Sequence, residues 1–362
     1  MELSNVNYPL SATASRRLNV YKLILSVLVV YIHANSSGAG FASGAVEAPN
    51  PLWLQNFRLL ISYTIAAAAV PGFFLLSAML LYRKPFHWKQ NMRKKLRTLG
   101  IPYLLMNTLW IAAFFVAQQI PGVRNFFSNP DKLIAQWGFW DYANAFLGFQ
   151  KGAFYPFLYP LWFVRDLLVL NVLASVLGHL IDRFPNICLT AAVAAWLFIP
   201  QTGVFFMDTQ SICFWVLGGV LVKKGICLEE GDRLPMALWV LVYAAMVLLV
   251  MTVGRSSRSL ARLTFLVGVF FWFRVTALVH SPRWMDALVK LSAFSFGIYL
   301  FHEFFLTFAR KVAVKLLPLT PVSQLLQYLL IPLAVIALCI AVCAGLKKWF
   351  PRLYSLLTGG RG

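Results

Sequence analysis

The sequence predicts an all-α polytopic membrane protein. Of its 362 residues, 60% are hydrophobic and only 12% are charged, and the mean hydropathy is +0.72. A soluble domain typically has about 25% charged residues, so this composition excludes a soluble fold. Apolar stretches of about 20 residues, the length of a helix that crosses a bilayer, recur along the whole chain.

Ten stretches predict ten transmembrane helices within one domain that covers residues 1–362. They are residues 18–36, 59–82, 99–119, 161–181, 187–200, 209–223, 235–253, 262–280, 291–309 and 322–346. The aromatic-rich segment 120–160 contains Asn129-Pro130-Asp131, a pattern typical of a helix start. We expect an interfacial helix in an outer loop there, and stacking of its rings on a sugar is the alternative.

The basic residues of the loops predict that both termini are cytoplasmic. Cytoplasmic loops retain Lys and Arg, and a cytoplasmic N-terminus places most of the 32 basic residues inside, including the run from Arg83 to Arg97. The net charge of +20 is explained by anchoring to anionic lipid head groups. We therefore expect membrane lipids as partners and no nucleic acid.

The first predicted helix carries one polar stripe, formed by Asn19, Lys22, Ser26 and His33. At about 100° per residue these four positions fall within an arc of about 60°. Lys22 and His33 are separated by about 16 Å along the helix axis. A titratable residue inside a membrane helix generally faces a partner or a wet cavity, so this stripe is a candidate functional face.

The ninth stretch carries a second stripe, formed by Ser292, Ser295, Tyr299, His302 and Glu303. These five positions share an arc of about 100°. Two polar stripes on otherwise apolar helices predict a shared internal cavity.

Several cationic residues and one serine each have two possible roles. Arg93, Lys94 and Arg97 either hold a phosphorylated ligand or anchor the chain on lipid phosphates. Arg274, about a third of the way into the eighth stretch, is either a lipid anchor or a ligand clamp. Ser77 either permits close helix packing or contacts a substrate.

Arg165 and Asp166 stand at the outer entrance to the fourth stretch. Neighbours on a helix diverge by about 100°, so each is expected to meet another helix, and a structural pair is the alternative. The five cysteines show no CxxC motif and no clustering with histidine, which predicts free thiols and no metal site.

Five motifs in order resemble the acyltransferase 3 family, integral membrane acyltransferases that O-acylate bacterial polysaccharides. The motifs are a basic residue followed after ten residues by His, an FFxxSG element, a basic run ending in Pro-Tyr, W-F-x-R-D, and SFxIYxxH. They correspond to Lys22 and His33; Phe73 to Ala78; Arg93 to Arg97 with Pro102 and Tyr103; Trp162, Phe163, Arg165 and Asp166; and Ser295, Phe296, Ile298, Tyr299 and His302. The chain departs from the family pattern at Asn19, where Asp is common, and at Ala78, where Gly is usual.

The resemblance implies a protein of the bacterial inner membrane that takes an acyl group, usually acetyl, from cytoplasmic acetyl-CoA and delivers it to an extracytoplasmic glycan, without a metal. It implies that His33 is catalytic, either as general base or as transient acyl carrier. The implied donor-binding residues are Lys22, Arg93, Lys94, Arg97 and Arg274. The implied acceptor-side or cavity residues are Ser77, Arg165, Asp166, Tyr299, His302 and Glu303.

Two alternatives stay open at this point. A secondary transporter or a lipid-linked sugar flippase would also need intramembrane charges and a polar cavity, although no inverted repeat of interrupted helices is visible. An enzyme using succinyl or a longer acyl donor would have the same motifs. The identity of the glycan acceptor does not follow from the residues.

Overall fold

The computed structural model describes residues 10–36, 38–41, 44–124, 133–148, 155–199, 207–253 and 257–361. The helix start predicted at Asn129-Pro130-Asp131 lies outside these ranges. Within them the elements follow in the order α1 (Ala12–Ala34), β1 (Gly38–Phe41), β2 (Gly44–Glu47), α2 (Leu52–Tyr82), α3 (Trp88–Gln119), α4 (Pro121–Arg124), α5 (Phe139–Leu147), α6 (Tyr159–Arg183), α7 (Pro185–Phe198), α8 (Thr209–Lys223), α9 (Met236–Val253), α10 (Arg258–Leu278), α11 (Pro282–Ser292), α12 (Ser295–Leu316), α13 (Pro321–Trp349) and α14 (Pro351–Thr358).

Seven helices of the described chain are long and apolar enough to cross a membrane: α1, α2, α3, α6, α9, α10 and α13. The bent pair α11 and α12 makes an eighth if it counts as one span. The prediction of an all-α polytopic membrane protein is confirmed. Nine of the ten predicted stretches fall on one helix each and the ninth falls on two, but α7 and α8 have only 14 and 15 residues, fewer than the roughly 20 of a typical span.

Two departures from regular helices are relevant to the site. α11 and α12 meet at a bend of 60° around Ala293 and Phe294, so the ninth predicted stretch is two helices. A two-stranded antiparallel hairpin follows α1 and pairs Gly38 with Glu47.

The core is built around α1, which packs against α2, α11, α12 and α13. Its residues Tyr21, Leu25 and Val30 are fully buried. The Tyr21 hydroxyl donates to the carbonyl of Val269 on α10 at 2.7 Å, so even this buried polar atom is satisfied. α1 is thus held on several sides, and the stripe predicted on it has a fixed orientation.

α2 and α8 approach each other closely at Gly218. A Cβ atom at this position would lie 2.5 Å from the Leu75 carbonyl oxygen, closer than a real contact. Glycine therefore sets the separation of the two helices, as small residues do at membrane-helix interfaces.

Replacing Gly218 by alanine is expected to destabilise the fold, because the two backbones must move apart. Overpacking of this kind costs about 1–3 kcal/mol, so we expect a lower melting temperature in detergent. The control is Gly122→Ala, since nothing lies within 4 Å of a Cβ there. Equal melting temperatures for the two variants would contradict this account of the α2–α8 contact.

Candidate active site

Two parallel helices bring two histidines together. Ser26 of α1 donates to the Ser295 carbonyl of α12 at 3.2 Å. Seven residues later on both helices, the rings of His33 and His302 stack with centroids 5.2 Å apart and planes inclined by 25°. Because seven residues are two helical turns on each helix, about 10 Å, the two stripes predicted from the sequence lie face to face.

His33 belongs to a hydrogen-bonded relay with Tyr159 and Glu303. The Tyr159 hydroxyl lies 2.8 Å from His33 Nδ1 and donates to Glu303 Oε2 at 2.9 Å. Thr307 donates to the other carboxylate oxygen, Oε1, at 2.7 Å. Glu303 is 6% exposed, so these two hydroxyls replace the water that a buried carboxylate would otherwise need.

The relay assigns the basic nitrogen of His33. When Glu303 is ionised, the Tyr159 hydroxyl donates its hydrogen bond to the carboxylate. The Tyr159 oxygen then accepts a hydrogen bond from Nδ1–H of His33. The lone pair of the neutral imidazole is left on Nε2. A histidine oriented in this way by a second group is the arrangement of a general base.

His302 is held by its own helix. Its Nδ1 lies 2.8 Å and 3.1 Å from the carbonyl oxygens of Tyr299 and Ile298, so Nδ1 carries the proton. The ring is fully buried, and its Nε2 has no hydrogen-bond partner among the described residues. An unpaired buried acceptor is unfavourable by roughly 1–3 kcal/mol, which suits a position where a substrate donates the missing hydrogen bond.

Arg310 contacts two members of this hydrogen-bonded group on the side of the β1–β2 hairpin. Its Nη1 donates to the His33 carbonyl at 2.9 Å, and its Nη2 donates to Thr307 Oγ1 at 3.4 Å. Arg310 thereby ties the last turn of α1 to α12, at the level of His33.

A second part of the site is a cavity of about 990 Å³ at the end of the helices where α1 begins. Ligand pockets commonly measure about 300–1,000 Å³, so this one has room for a large ligand. Its lining includes six cationic side chains: Lys22, Arg83, Lys84, Lys94, Lys95 and Arg361. No Asp or Glu of the described chain lines it, so the cavity suits a ligand with several negative charges.

Three rings separate this cavity from the histidines, and we call them the aromatic wall: Phe163, Phe296 and Tyr299. All three line the cavity. The centroid of the Tyr299 ring lies 5.7 Å from that of Phe163, 6.1 Å from that of Phe296 and 6.1 Å from that of His302. The Tyr299 hydroxyl donates to the Pro160 carbonyl, which fixes the ring in this position.

Of the five predicted donor-binding residues, the structure places two at the cavity and three away from it. Lys22 and Lys94 line the cavity, and so does Ser77, which was expected on the acceptor side or in a cavity. Arg93 and Arg97 are exposed and do not line it. Arg274 lies elsewhere: its Nε pairs with Asp232 Oδ1 at 3.5 Å, in a cluster that also holds Arg17.

Arg165 and Asp166 pair with each other, which was the alternative expectation, and each also meets another helix. Nε and Nη2 of Arg165 both donate to Asp166 Oδ1, at 3.2 and 3.0 Å. The long arginine side chain bends back across the 100° that separates the two positions. Asp166 Oδ2 accepts from Ser211 of α8 at 2.7 Å, and Arg165 Nη1 donates to the Leu147 carbonyl of α5 at 3.1 Å. The pair therefore joins three helices.

Sequence reasoning missed Tyr159 and Arg310 as partners of His33, and Arg83, Lys84, Lys95 and Arg361 as cavity residues. Tyr159 lies three residues before Trp162, the first residue of the W-F-x-R-D motif, and this proximity to the motif could have indicated it. Within the described residues, no group of three or more His, Cys, Asp or Glu is placed to hold a metal ion.

Replacing Tyr159 by phenylalanine is expected to lower kcat and to leave KM for the donor unchanged. The change removes the hydroxyl that links Glu303 to His33 Nδ1, and a misplaced catalytic group costs about a hundredfold. Steady-state kinetics measure this, with the exposed neighbour Tyr155→Phe as the control. A wild-type kcat in Tyr159→Phe would remove the relay from the mechanism.

A helical membrane protein with a partly buried histidine–tyrosine–glutamate relay beyond a cation-lined cavity has the organisation of a membrane-embedded enzyme. The model of one family, described as an acyltransferase domain, matches residues 16–346. The chain therefore belongs to the acyltransferase 3 family, as its motifs indicated. The protein is also similar to the succinoglycan biosynthesis protein ExoH of Rhizobium meliloti (strain 1021), with 25% identity over 372 residues that cover 97% of this chain and 94% of that protein. No solved structure matches the chain.

Proposed function

We propose that this membrane acyltransferase transfers an acyl group, acetyl in the first instance, from cytoplasmic acyl-CoA to a hydroxyl group of an extracytoplasmic glycan. The observation that carries the proposal is the cavity, which has six cations and no carboxylate among its described lining residues and ends one helical turn from the histidine pair. Coenzyme A is an anionic carrier with a long neutral arm, and both parts match this arrangement.

The mechanism assigns a role to each part. The cations of the cavity hold the coenzyme phosphates, and the pantetheine arm follows the stripe of α1 towards His33. His33 Nε2 accepts the proton of the acceptor hydroxyl while the hydroxyl oxygen attacks the thioester carbonyl. The C–S bond then breaks, and the coenzyme thiolate takes up the proton. Tyr159 and Glu303 orient His33 and stabilise its protonated form.

The topology of the proposal places the cavity inside and the relay towards the outside. Leu10 and Arg361, from the two ends of the described chain, line the same cavity, which supports both termini on one side of the membrane, here the cytoplasm of a bacterium. We further propose that residues 1–362 form a single unit. Its helix α5 would rest on the outer membrane surface, because Phe139 and Trp140 are 77% and 75% exposed.

The similar Rhizobium protein reduces the range of candidate acceptors and donors. Its name refers to the biosynthesis of succinoglycan, which favours a polysaccharide acceptor. A succinyl donor is therefore the second candidate beside acetyl.

The test is release of coenzyme A by purified protein in detergent, measured with acetyl-CoA, succinyl-CoA and longer acyl-CoAs, with and without oligosaccharide acceptors. We expect acceptor-dependent release with at least one short acyl-CoA and an O-acylated product by mass spectrometry. Background release with all donors, together with measurable glycan transport in vesicles, would instead support a transporter. Comparison of O-acyl content in glycans of a deletion strain and its parent identifies the acceptor.

A further inference from the structure

The last helix, α14, and the turn after it lie against the mouth of the donor cavity. Tyr354 and Leu357 of this helix are 3% and 4% exposed, and the helix packs on α3 and α13. α14 lies beyond residues 16–346, the part matched by the family, so family membership assigns it no role. Its burial shows that it is a docked part of the protein.

The turn after α14 is shaped to return the chain into the cavity. Gly359 and Gly360 have φ angles of +64° and +74°, which favour glycine. A Cβ atom at Gly359 would lie 2.3 Å from the Thr98 carbonyl oxygen of α3, so only glycine allows this approach. Thr358 Oγ1 donates to the Arg361 carbonyl at 3.0 Å and closes the turn.

The turn delivers the guanidinium of Arg361 to a defined place. Nη1 donates to the Thr98 carbonyl at 2.9 Å, and the guanidinium carbon lies 4.2 Å from the centre of the Phe296 ring in the aromatic wall. Stacking and one hydrogen bond fix the plane of the group. Arg361 also lines the cavity together with Lys22 and Lys95.

No Asp or Glu of the part of the chain that the structure describes lies among these cations. The ion pairs of the described residues do not include Lys22, Lys95 or Arg361. Burial lowers the pKa of Arg361 to about 10, so the group is still cationic near neutral pH. Buried charges are normally paired, and an anionic ligand in the cavity would supply the missing partner.

We propose that Arg361 is a donor-binding residue that contacts the phosphates of coenzyme A, so that the last helix completes the donor site. The inference rests on the proposed function, because it takes acyl-CoA as the occupant of the cavity. An arginine with a fixed plane can bind a phosphate through two parallel hydrogen bonds, whereas Lys22 and Lys95 act as point charges.

The test is the Kd of coenzyme A, measured by titration calorimetry in a non-ionic detergent for the wild type and three variants. Charge-assisted hydrogen bonds correspond to about a 10- to 100-fold change in Kd, so Arg361→Gln is expected to weaken binding by that factor. Arg361→Lys keeps the charge without the fork and is expected to be intermediate. The control Arg352→Gln removes an exposed arginine from α14, the helix before the turn that carries Arg361, and is expected to stay within twofold of the wild type.

Pantetheine, which lacks the phosphates, distinguishes contact from a structural role. If Arg361 contacts phosphate, Arg361→Gln weakens coenzyme A and leaves pantetheine binding unchanged, whereas loss of both by the same factor overturns the proposal. Unchanged coenzyme A binding in Arg361→Gln also overturns the proposal. If, in addition, phosphatidylglycerol binds more weakly to the variant than to the wild type, a lipid phosphate is the partner of Arg361. If the wild type binds no coenzyme A at all, the proposed acyl-CoA donor is incorrect, and the role proposed for Arg361 is then incorrect as well.

Discussion

Replacing His33 by alanine is expected to abolish acyl transfer while expression and melting temperature stay near those of the wild type. A positioned general base contributes about 10²- to 10⁴-fold, and Nε2 of His33 is the basic nitrogen that the relay leaves available. The fold should tolerate the change because Tyr159 keeps its hydrogen bond to Glu303. Transfer of labelled acetyl to an oligosaccharide measures the effect.

His179 provides the matched control, since it is an exposed histidine on α6. His179→Ala should transfer acyl groups at the wild-type rate. If His33→Ala also modifies the acceptor at a comparable rate, His33 is not the catalytic residue. Rapid mixing of the wild type with acyl-CoA alone separates the two roles of His33: a burst of one coenzyme A per protein indicates a transient acyl carrier, and its absence indicates a general base.

The second large effect is expected from Lys22→Ala, which should raise KM for acyl-CoA about tenfold or more with little change in kcat. Lys22 is one of the six cations of the cavity, and its ammonium donates to Asn19 Oδ1 at 3.1 Å. Loss of a hydrogen bond to a charged group costs about 1.5–3 kcal/mol. Since Lys22 is about 16 Å along the helix from His33, the loss should fall on binding and not on the chemical step.

Steady-state kinetics at several donor concentrations test this, and raised salt should lower the affinity of the wild type more than that of the variant. The control is Lys290→Ala, because Lys290 is an exposed lysine on α11 that does not line the cavity. An unchanged KM in Lys22→Ala would mean that the cavity cations do not bind the donor.

Helical periodicity was sufficient to predict the polar stripe of α1 and most of the second stripe; Ser292 is the exception, because it lies on α11, before the 60° bend. Lys22 and His33 lie on one continuous helix, and His302 and Glu303 lie on another, so their relative positions follow from the rotation per residue alone. The facing of the two stripes was also predictable, because buried polar groups in a membrane need a common cavity.

Contacts between distant segments were not predictable in this way. Tyr159 lies in the first turn of α6 and reaches His33 because that turn packs against α12, which in turn packs against α1. Arg274 has the sequence context of a ligand clamp, but its partner Asp232 stands in a short turn after α8, and no local pattern indicates that contact. Likewise, Arg361 enters the cavity through a turn whose geometry depends on its fit against Thr98.

The aromatic wall affects the free energy required to transfer a group across the membrane. Carrying the phosphates of the coenzyme through hydrocarbon would require removal of water from several charges, at a cost of tens of kcal/mol. On the proposed function, with Phe163, Phe296 and Tyr299 between the cavity and His302, only the thioester end of the carrier would have to pass. With acetyl as the transferred group, the membrane would remain an electrical insulator during turnover, because the few atoms that change sides are neutral and the charged carrier stays on its own side.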